Sequence, residues 1–174
     1  METVFSGNPW TTSFTEDSFG NIWIGTYRNG TFCFHKNQTP FQKSMSGKNI
    51  ECMSTDHSGN YWIGSLNGEV CVLDSTQKQI MGKTIFPNDM IHTIYGQESS
   101  NKVWVGTMYG LYEAWIESNK QIVYQKTSGI NIPSIRSIVQ DSCFLWIASY
   151  NNGVTLYNYS TQQSVVTYKT DSEV

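Results

Sequence analysis

Short apolar runs recur along this chain, separated by polar clusters rich in glycine and asparagine. One kind of run alternates apolar and polar residues, as in Ile50-Glu51-Cys52-Met53-Ser54-Thr55, Ile91-His92-Thr93-Ile94-Tyr95 and Ile135-Arg136-Ser137-Ile138-Val139. A period of two belongs to a strand with one face buried. The other kind is almost continuously apolar and carries a tryptophan. Its copies are Asn21-Ile22-Trp23-Ile24-Gly25-Thr26, Asn60-Tyr61-Trp62-Ile63-Gly64-Ser65, Lys102-Val103-Trp104-Val105-Gly106-Thr107 and Phe144-Leu145-Trp146-Ile147-Ala148-Ser149. A strand buried on both faces reads that way.

The four tryptophans lie 39, 42 and 42 residues apart, so the chain is an internal repeat. Each copy predicts four strands. A turn such as Asp56-His57-Ser58-Gly59-Asn60 links the alternating run to the tryptophan run. Asn29-Gly30, Asn67-Gly68, Tyr109-Gly110 or Asn152-Gly153 then turns the chain into a third strand. The third strands are Thr31-Phe32-Cys33-Phe34, Glu69-Val70-Cys71-Val72-Leu73, Leu111-Tyr112-Glu113-Ala114-Trp115 and Val154-Thr155-Leu156-Tyr157. A fourth, more polar strand suits a solvated edge, as in Gln121-Ile122-Val123-Tyr124-Gln125 and Ser164-Val165-Val166-Thr167-Tyr168. Four antiparallel strands per unit of this period, with a repeated Trp and Gly, define a β-propeller blade. The expected fold is all-β: one domain over 1–174, with blades at about 12–46, 49–86, 90–128 and 134–169.

Composition narrows the partners. Only 14% of residues are charged, the net charge is −3, and the 11 Lys and Arg are scattered, which argues against nucleic acid. No run of 18 apolar residues would carry this segment through a membrane as a helix. The first residues, Met1 to Gly7, lack the basic and apolar regions of a signal peptide, which leaves a cytosolic protein or an internal piece of a longer one. Cys33, Cys52, Cys71 and Cys143 show neither C-x-x-C spacing nor a histidine at zinc-ligand spacing, so they read as buried free thiols acting as small apolar residues.

The phrase Asp-x-x-Gly-Asn-x-Trp-Ile-Gly-Thr/Ser, closed by an Asn-Gly turn, stands at Asp17–Gly30 and again at Asp56–Gly68. It closely resembles the two-component regulator propeller repeat, over about residues 12 to 169. The third copy departs from it, with Glu98 and Asn101 where Asp and Gly are expected. The fourth has Asp141 before a shortened turn and Ala148 in place of Gly. That family forms the extracytoplasmic sensor regions of bacterial hybrid two-component systems, ahead of a membrane helix and histidine kinase modules, and many members are similar to oligosaccharide receptors of gut Bacteroidetes. The resemblance implies a periplasmic sensor fragment of a membrane-anchored receptor, without the kinase. Propellers of the family are larger than four blades. Four blades are therefore expected to form an open arc, part of a larger propeller, whose bare end faces associate as a homodimer.

No catalytic constellation stands out. His35, His57 and His92 fall on separate elements, no metal grouping is spaced for ligation, and no cofactor motif occurs. Asp17 and Asp56 recur at one repeat position, which points to a turn role. The chain itself is expected to bind rather than catalyse. In a propeller the turns between second and third strands share a face with the connections between blades. Tyr27, Arg28, Tyr109, Tyr150 and Asn151 fall on those turns, and aromatic faces with amides and a guanidinium suit a sugar. An oligosaccharide or other small ligand is the expected partner. The alternative is a protein-interaction scaffold without a small ligand.

Overall fold

The computed structural model describes residues 10–17, 19–34, 42–44, 47–74 and 79–169. These residues form four sheets of four strands. The first blade contains β1 (Thr11–Glu16), β2 (Ile22–Thr26), β3 (Gly30–Phe34) and β4 (Gln42–Ser44). The second contains β5 (Ile50–Thr55), β6 (Tyr61–Ser65), β7 (Glu69–Leu73) and β8 (Gln79–Thr84). The third has β9 (Ile91–Gly96), β10 (Lys102–Thr107), β11 (Gly110–Ile116) and β12 (Ile122–Lys126). The fourth has β13 (Ile135–Asp141), β14 (Phe144–Ser149), β15 (Gly153–Asn158) and β16 (Gln163–Tyr168). Every sheet is an antiparallel meander in chain order. The first strands pack in sequence, β1 on β5, β5 on β9 and β9 on β13, so they form the inner edge of an all-β propeller. Among the described residues the sheets do not close into a ring. The expected partial propeller is what the chain forms.

The repeated phrase is explained by the junctions between blades. Trp23, Trp62 and Trp104 are 1%, 0% and 4% exposed, each covered by the blade that follows. Burying a tryptophan contributes on the order of 4–6 kcal/mol before entropy is counted. The glycine two residues later makes room for the following inner strand. A Cβ on Gly25, Gly64 or Gly106 would lie 2.9, 2.7 or 2.5 Å from the Cγ2 of Ile50, Ile91 or Ile135. Those three isoleucines are fully buried. Cys33, Cys52 and Cys71 fill the same junctions as small apolar residues.

The aspartate organises the turn before the tryptophan. Asp17 Oδ1 accepts the N–H groups of Phe19 and Asn21, both at 2.9 Å, and Oδ2 accepts Asn21 Nδ2 and Trp23 Nε1. Asp56 does the same for Ser58, Asn60 and Trp62. Asp17 also accepts the Tyr61 hydroxyl at 2.6 Å, which ties the first blade to the second. Burial alone would raise the Asp17 pKa, but the hydrogen bonds from Tyr61, Asn21 and Trp23 outweigh it and hold the carboxyl at about 2.

The third copy departs from the phrase at a different residue from the one its spacing indicates. Gly96 pairs with Val103 where Thr55 pairs with Tyr61, so Gln97, and not Glu98, occupies the aspartate position. Its backbone N–H bonds Lys102 across the turn, as Asp56 bonds Asn60. The turn is one residue longer, which shifts the linear count. Gln97 donates its amide N–H to Glu113 and its Oε1 accepts the Ser100 hydroxyl, and Trp104 Nε1 is buried without a hydrogen-bond partner among the described residues. Trp104 also lines a cavity of about 290 Å³ with Glu113, Tyr157, Tyr159 and Gln162.

Two measurements test this account. Asp17→Ala strands Trp23 Nε1, the Tyr61 hydroxyl and two backbone donors, and is expected to cost about 3 kcal/mol in urea unfolding followed by tryptophan fluorescence. The Asp17 carboxyl is depressed from 3.8 to about 2, so its contribution is complete above pH 4 and is lost as pH falls toward 2. The difference between the variant and the parent should narrow over that interval. Gly68 has φ +76°, and a Cβ there would meet the Phe86 carbonyl oxygen at 1.9 Å. Gly68→Ala should destabilise the second blade by about 2–4 kcal/mol in the same assay.

Candidate functional site

One irregularity recurs at the same place in every blade. The pairing of first and second strands skips Thr12 between Thr11 and Ser13, and Glu51 between Ile50 and Cys52. It skips His92 between Ile91 and Thr93, and Arg136 between Ile135 and Ser137. A bulged residue leaves the pleat and its side chain is re-aimed. The frame around each bulge is fixed by one hydrogen bond, from the N–H just after the second strand to the carbonyl just before the first. These run from Tyr27 to Trp10, Leu66 to Asn49, Met108 to Met90 and Tyr150 to Ser134, at 2.9, 3.3, 3.0 and 2.9 Å. The bulge row therefore lies beside the turns that carry the aromatic residues. On one constant frame it presents a hydroxyl, a carboxyl, an imidazole and a guanidinium.

These side chains reach across blade boundaries. The Thr12 hydroxyl donates to the Ile50 carbonyl of the next blade at 2.6 Å. An Arg136 guanidinium nitrogen lies 3.1 Å from His92 Nδ1. A guanidinium only donates, so Nδ1 accepts and Nε2 carries the ring proton. Nε2 is buried and has no hydrogen-bond partner among the described residues. Burial, and then the Arg136 charge, hold the His92 pKa below its ordinary 6.5 against the opposing pull of Asp89. Burial raises the Glu51 carboxyl, and the Arg136 charge offsets part of that rise. Arg136 also lies over the Tyr150 ring, 5.7 Å from its centroid.

The five residues expected from the sequence sit on the β2–β3, β10–β11 and β14–β15 turns, spread over the first, third and fourth blades. Tyr27 stacks on Trp10 with centroids 6.0 Å apart, and Arg28 covers Tyr27 at 5.2 Å. Tyr150 joins Arg136 in the fourth blade, while Tyr109 stands 60% exposed on the blade before it. Asn151 has φ +63°, a conformation asparagine tolerates, so the turn itself accounts for it. Arg28 has φ +73° at the matching position, where an arginine costs about 1–2 kcal/mol.

Glu51, His92 and Arg136 were not among the expected residues, although the sequence carries their signal. The buried pairs Ile50 and Met53, Ile91 and Ile94, and Ile135 and Ile138 are three residues apart where strict alternation would place them two apart. The extra residue is the bulge. Its chemistry is hydrogen bonding, charge and stacking. Among the described residues no three His, Cys, Asp or Glu side chains gather as metal ligands, and no helix is long and apolar enough to cross a membrane.

Comparison with known proteins defines the class of this fold. Residues 5–28 match the family model of the two component regulator propeller, which bears out the resemblance read from the repeat phrase. Three solved structures share the fold. The extracellular domain of a protein from B. thetaiotaomicron, BT3049, assigned as a hybrid two component system, is 24% identical with a TM-score of 0.75, over 97% of this chain and 23% of that one. The extracellular domain of BT4673 from the same organism, assigned as a one component system, is 22% identical with a TM-score of 0.69, over 92% of this chain and 22% of that one. The β-propeller domain of Cps50 (Swd1) from Myceliophteria thermophila is 10% identical with a TM-score of 0.67, over 88% of this chain and 56% of that one. The chain thus spans less than a quarter of either bacterial domain. No curated protein sequence matches it.

The histidine gives a local test of the bulge row. Its folded pKa is below 6.5, so the unfolded chain takes up the proton first and stability falls as pH drops below that value. In a proton NMR titration of the imidazoles, His92 should titrate below the ordinary range. Arg136→Gln removes one of the two depressing influences and should move that midpoint upward.

Proposed function

We propose that this chain is a sensor piece of a two-component receptor, displayed outside the cytoplasm in the periplasm, and that it binds an oligosaccharide along the bulge row and its flanking turns. The observation that carries this reading is the constant frame with a varied polar residue in each blade, beside exposed tyrosines. Sugars need an apolar platform and directional hydrogen bonds. Tyr150 and Tyr109 offer the first, while Arg136, the Glu51 carboxyl and the turn amides offer the second. The repeat match at residues 5–28 and the extracellular domains that share the fold support the sensor context. Binding across several blades would favour one packing of the arc, and any module reading that packing would shift with it. The bound chain acts as a receptor and makes no covalent change to its ligand.

Isothermal titration against a panel of neutral and uronate-containing oligosaccharides tests the proposal. Arg136→Ala and Tyr150→Ala should each weaken binding of a retained glycan at least tenfold, with the unfolding midpoint little changed. Absence of glycan binding, together with peptide binding that the same substitutions abolish, would favour the protein scaffold.

A further inference from the structure

The histidine and the arginine of the bulge row meet across a blade boundary, and their contact depends on a single proton. His92 leaves β9 in the third blade and Arg136 leaves β13 in the fourth. The 3.1 Å contact between an Arg136 guanidinium nitrogen and His92 Nδ1 is a hydrogen bond only while Nδ1 offers a lone pair. An imidazolium carries two donors and no acceptor. With a proton on Nδ1, two N–H donors and two positive charges would face each other at that distance, so one partner must leave.

Burial decides which partner leaves. His92 is 9% exposed, and aiming Nδ1 at the arginine leaves its Nε2–H buried with no partner among the described residues. The ring is therefore held in place at the cost of an orphaned donor. Arg136 is exposed and makes no salt bridge among the described residues. Besides His92 its guanidinium meets the Tyr150 ring, 5.7 Å from the centroid. The arginine is the half that is free to move.

The surrounding charges set the direction of the response. From β13, Arg136 opposes a proton on His92, and Asp89, just before β9, favours one. Asp89 is buried, with Oδ1 accepting the Met90 N–H at 2.7 Å. From β5, Glu51 feels the Arg136 charge, which offsets part of the rise that burial gives its carboxyl. Acid that neutralises Glu51 removes an attraction on Arg136 and so acts in the same sense as a proton on His92. β6 carries no charged side chain, while Lys102 and Asp141 stand at the far ends of β10 and β13. Linkage is reciprocal: as far as Arg136 disfavours the His92 proton, that proton disfavours Arg136 in its place.

We propose that His92 is a proton-operated latch on the bulge row: neutral, it holds Arg136 over the Tyr150 ring, and protonated, it releases the guanidinium. The consequence for function rests on the reading of this row as the binding site. Arg136 and Tyr150 are the fourth-blade contacts of that site, so a proton on His92 withdraws the guanidinium from a ligand. Binding is then at full strength near neutral pH and weakens as pH falls through the His92 midpoint, which lies below 6.5.

The tyrosine ring reports the latch with no ligand present. Aromatic carbon–proton NMR spectra of the 174-residue chain are followed from about pH 7.5 down to about pH 4, with circular dichroism confirming the fold throughout. The Tyr150 ring signals should shift with the midpoint of the His92 imidazole. His92→Asn, whose side-chain oxygen accepts the Arg136 N–H without titrating, should keep Tyr150 at its neutral-pH position. Arg136→Gln should abolish the Tyr150 transition while His92 still titrates. For a glycan retained in the calorimetric panel, affinity should fall at least tenfold across the same midpoint and stay level in His92→Asn. Tyr150 signals that stay fixed through the His92 midpoint, or that move alike in His92→Asn, overturn the latch. A transition that vanishes in Glu51→Gln overturns it too, because the proton then belongs to Glu51. Failure of every glycan to bind overturns the binding reading alone, since the tyrosine signal decides the latch without it.

Discussion

Each blade carries a tryptophan that its own sheet cannot cover, and the architecture is organised around that deficit. A four-stranded sheet has two faces, and the tryptophan occupies the one turned toward the next blade. Covering it requires a close approach, which the glycine permits and the isoleucine of the following inner strand uses. The indole N–H enters the junction with the ring, so an acceptor must follow it in. Asp17 and Asp56 supply that acceptor while also shaping the turn before the tryptophan. The third junction shows what happens when this pairing is lost. The oxygen of Gln97 accepts the Ser100 hydroxyl instead of the indole, and the unbonded indole nitrogen and a cavity remain between the blades.

The same inner strands that pack the junctions also carry the bulge row, and this divides labour within six residues. Ile50, Ile91 and Ile135 are spent on packing, while Glu51, His92 and Arg136, immediately after them, are released from the pleat. The same frame recurs in all four blades with a different residue type at each bulge, so the chemistry there varies while the fold does not. The strain at Arg28 belongs to the same economy. Its turn spends about 1–2 kcal/mol to hold an arginine where the fourth blade places an asparagine.

The sequence by itself determined the strand count per repeat, the antiparallel meander, the turn role of the aspartates and the burial of Cys33, Cys52 and Cys71, though Cys143, expected to be buried with them, is only half-buried. It could do so because those features depend on alternation and turn chemistry over a few neighbouring residues. Even the inner-strand bulge was written locally, in the three-residue spacing of Ile91 and Ile94, although a period of two conceals it at first reading. Tertiary structure decided what depends on neighbours distant in the chain. It placed Gln97 at the aspartate position, because register across the sheet, and not the linear count, defines that site. It brought Arg136 onto His92 and Tyr150, three residues that no local pattern links. It left Trp146 exposed although its phrase matches the buried copies, because coverage of a blade face depends on whether another blade stands in front of it.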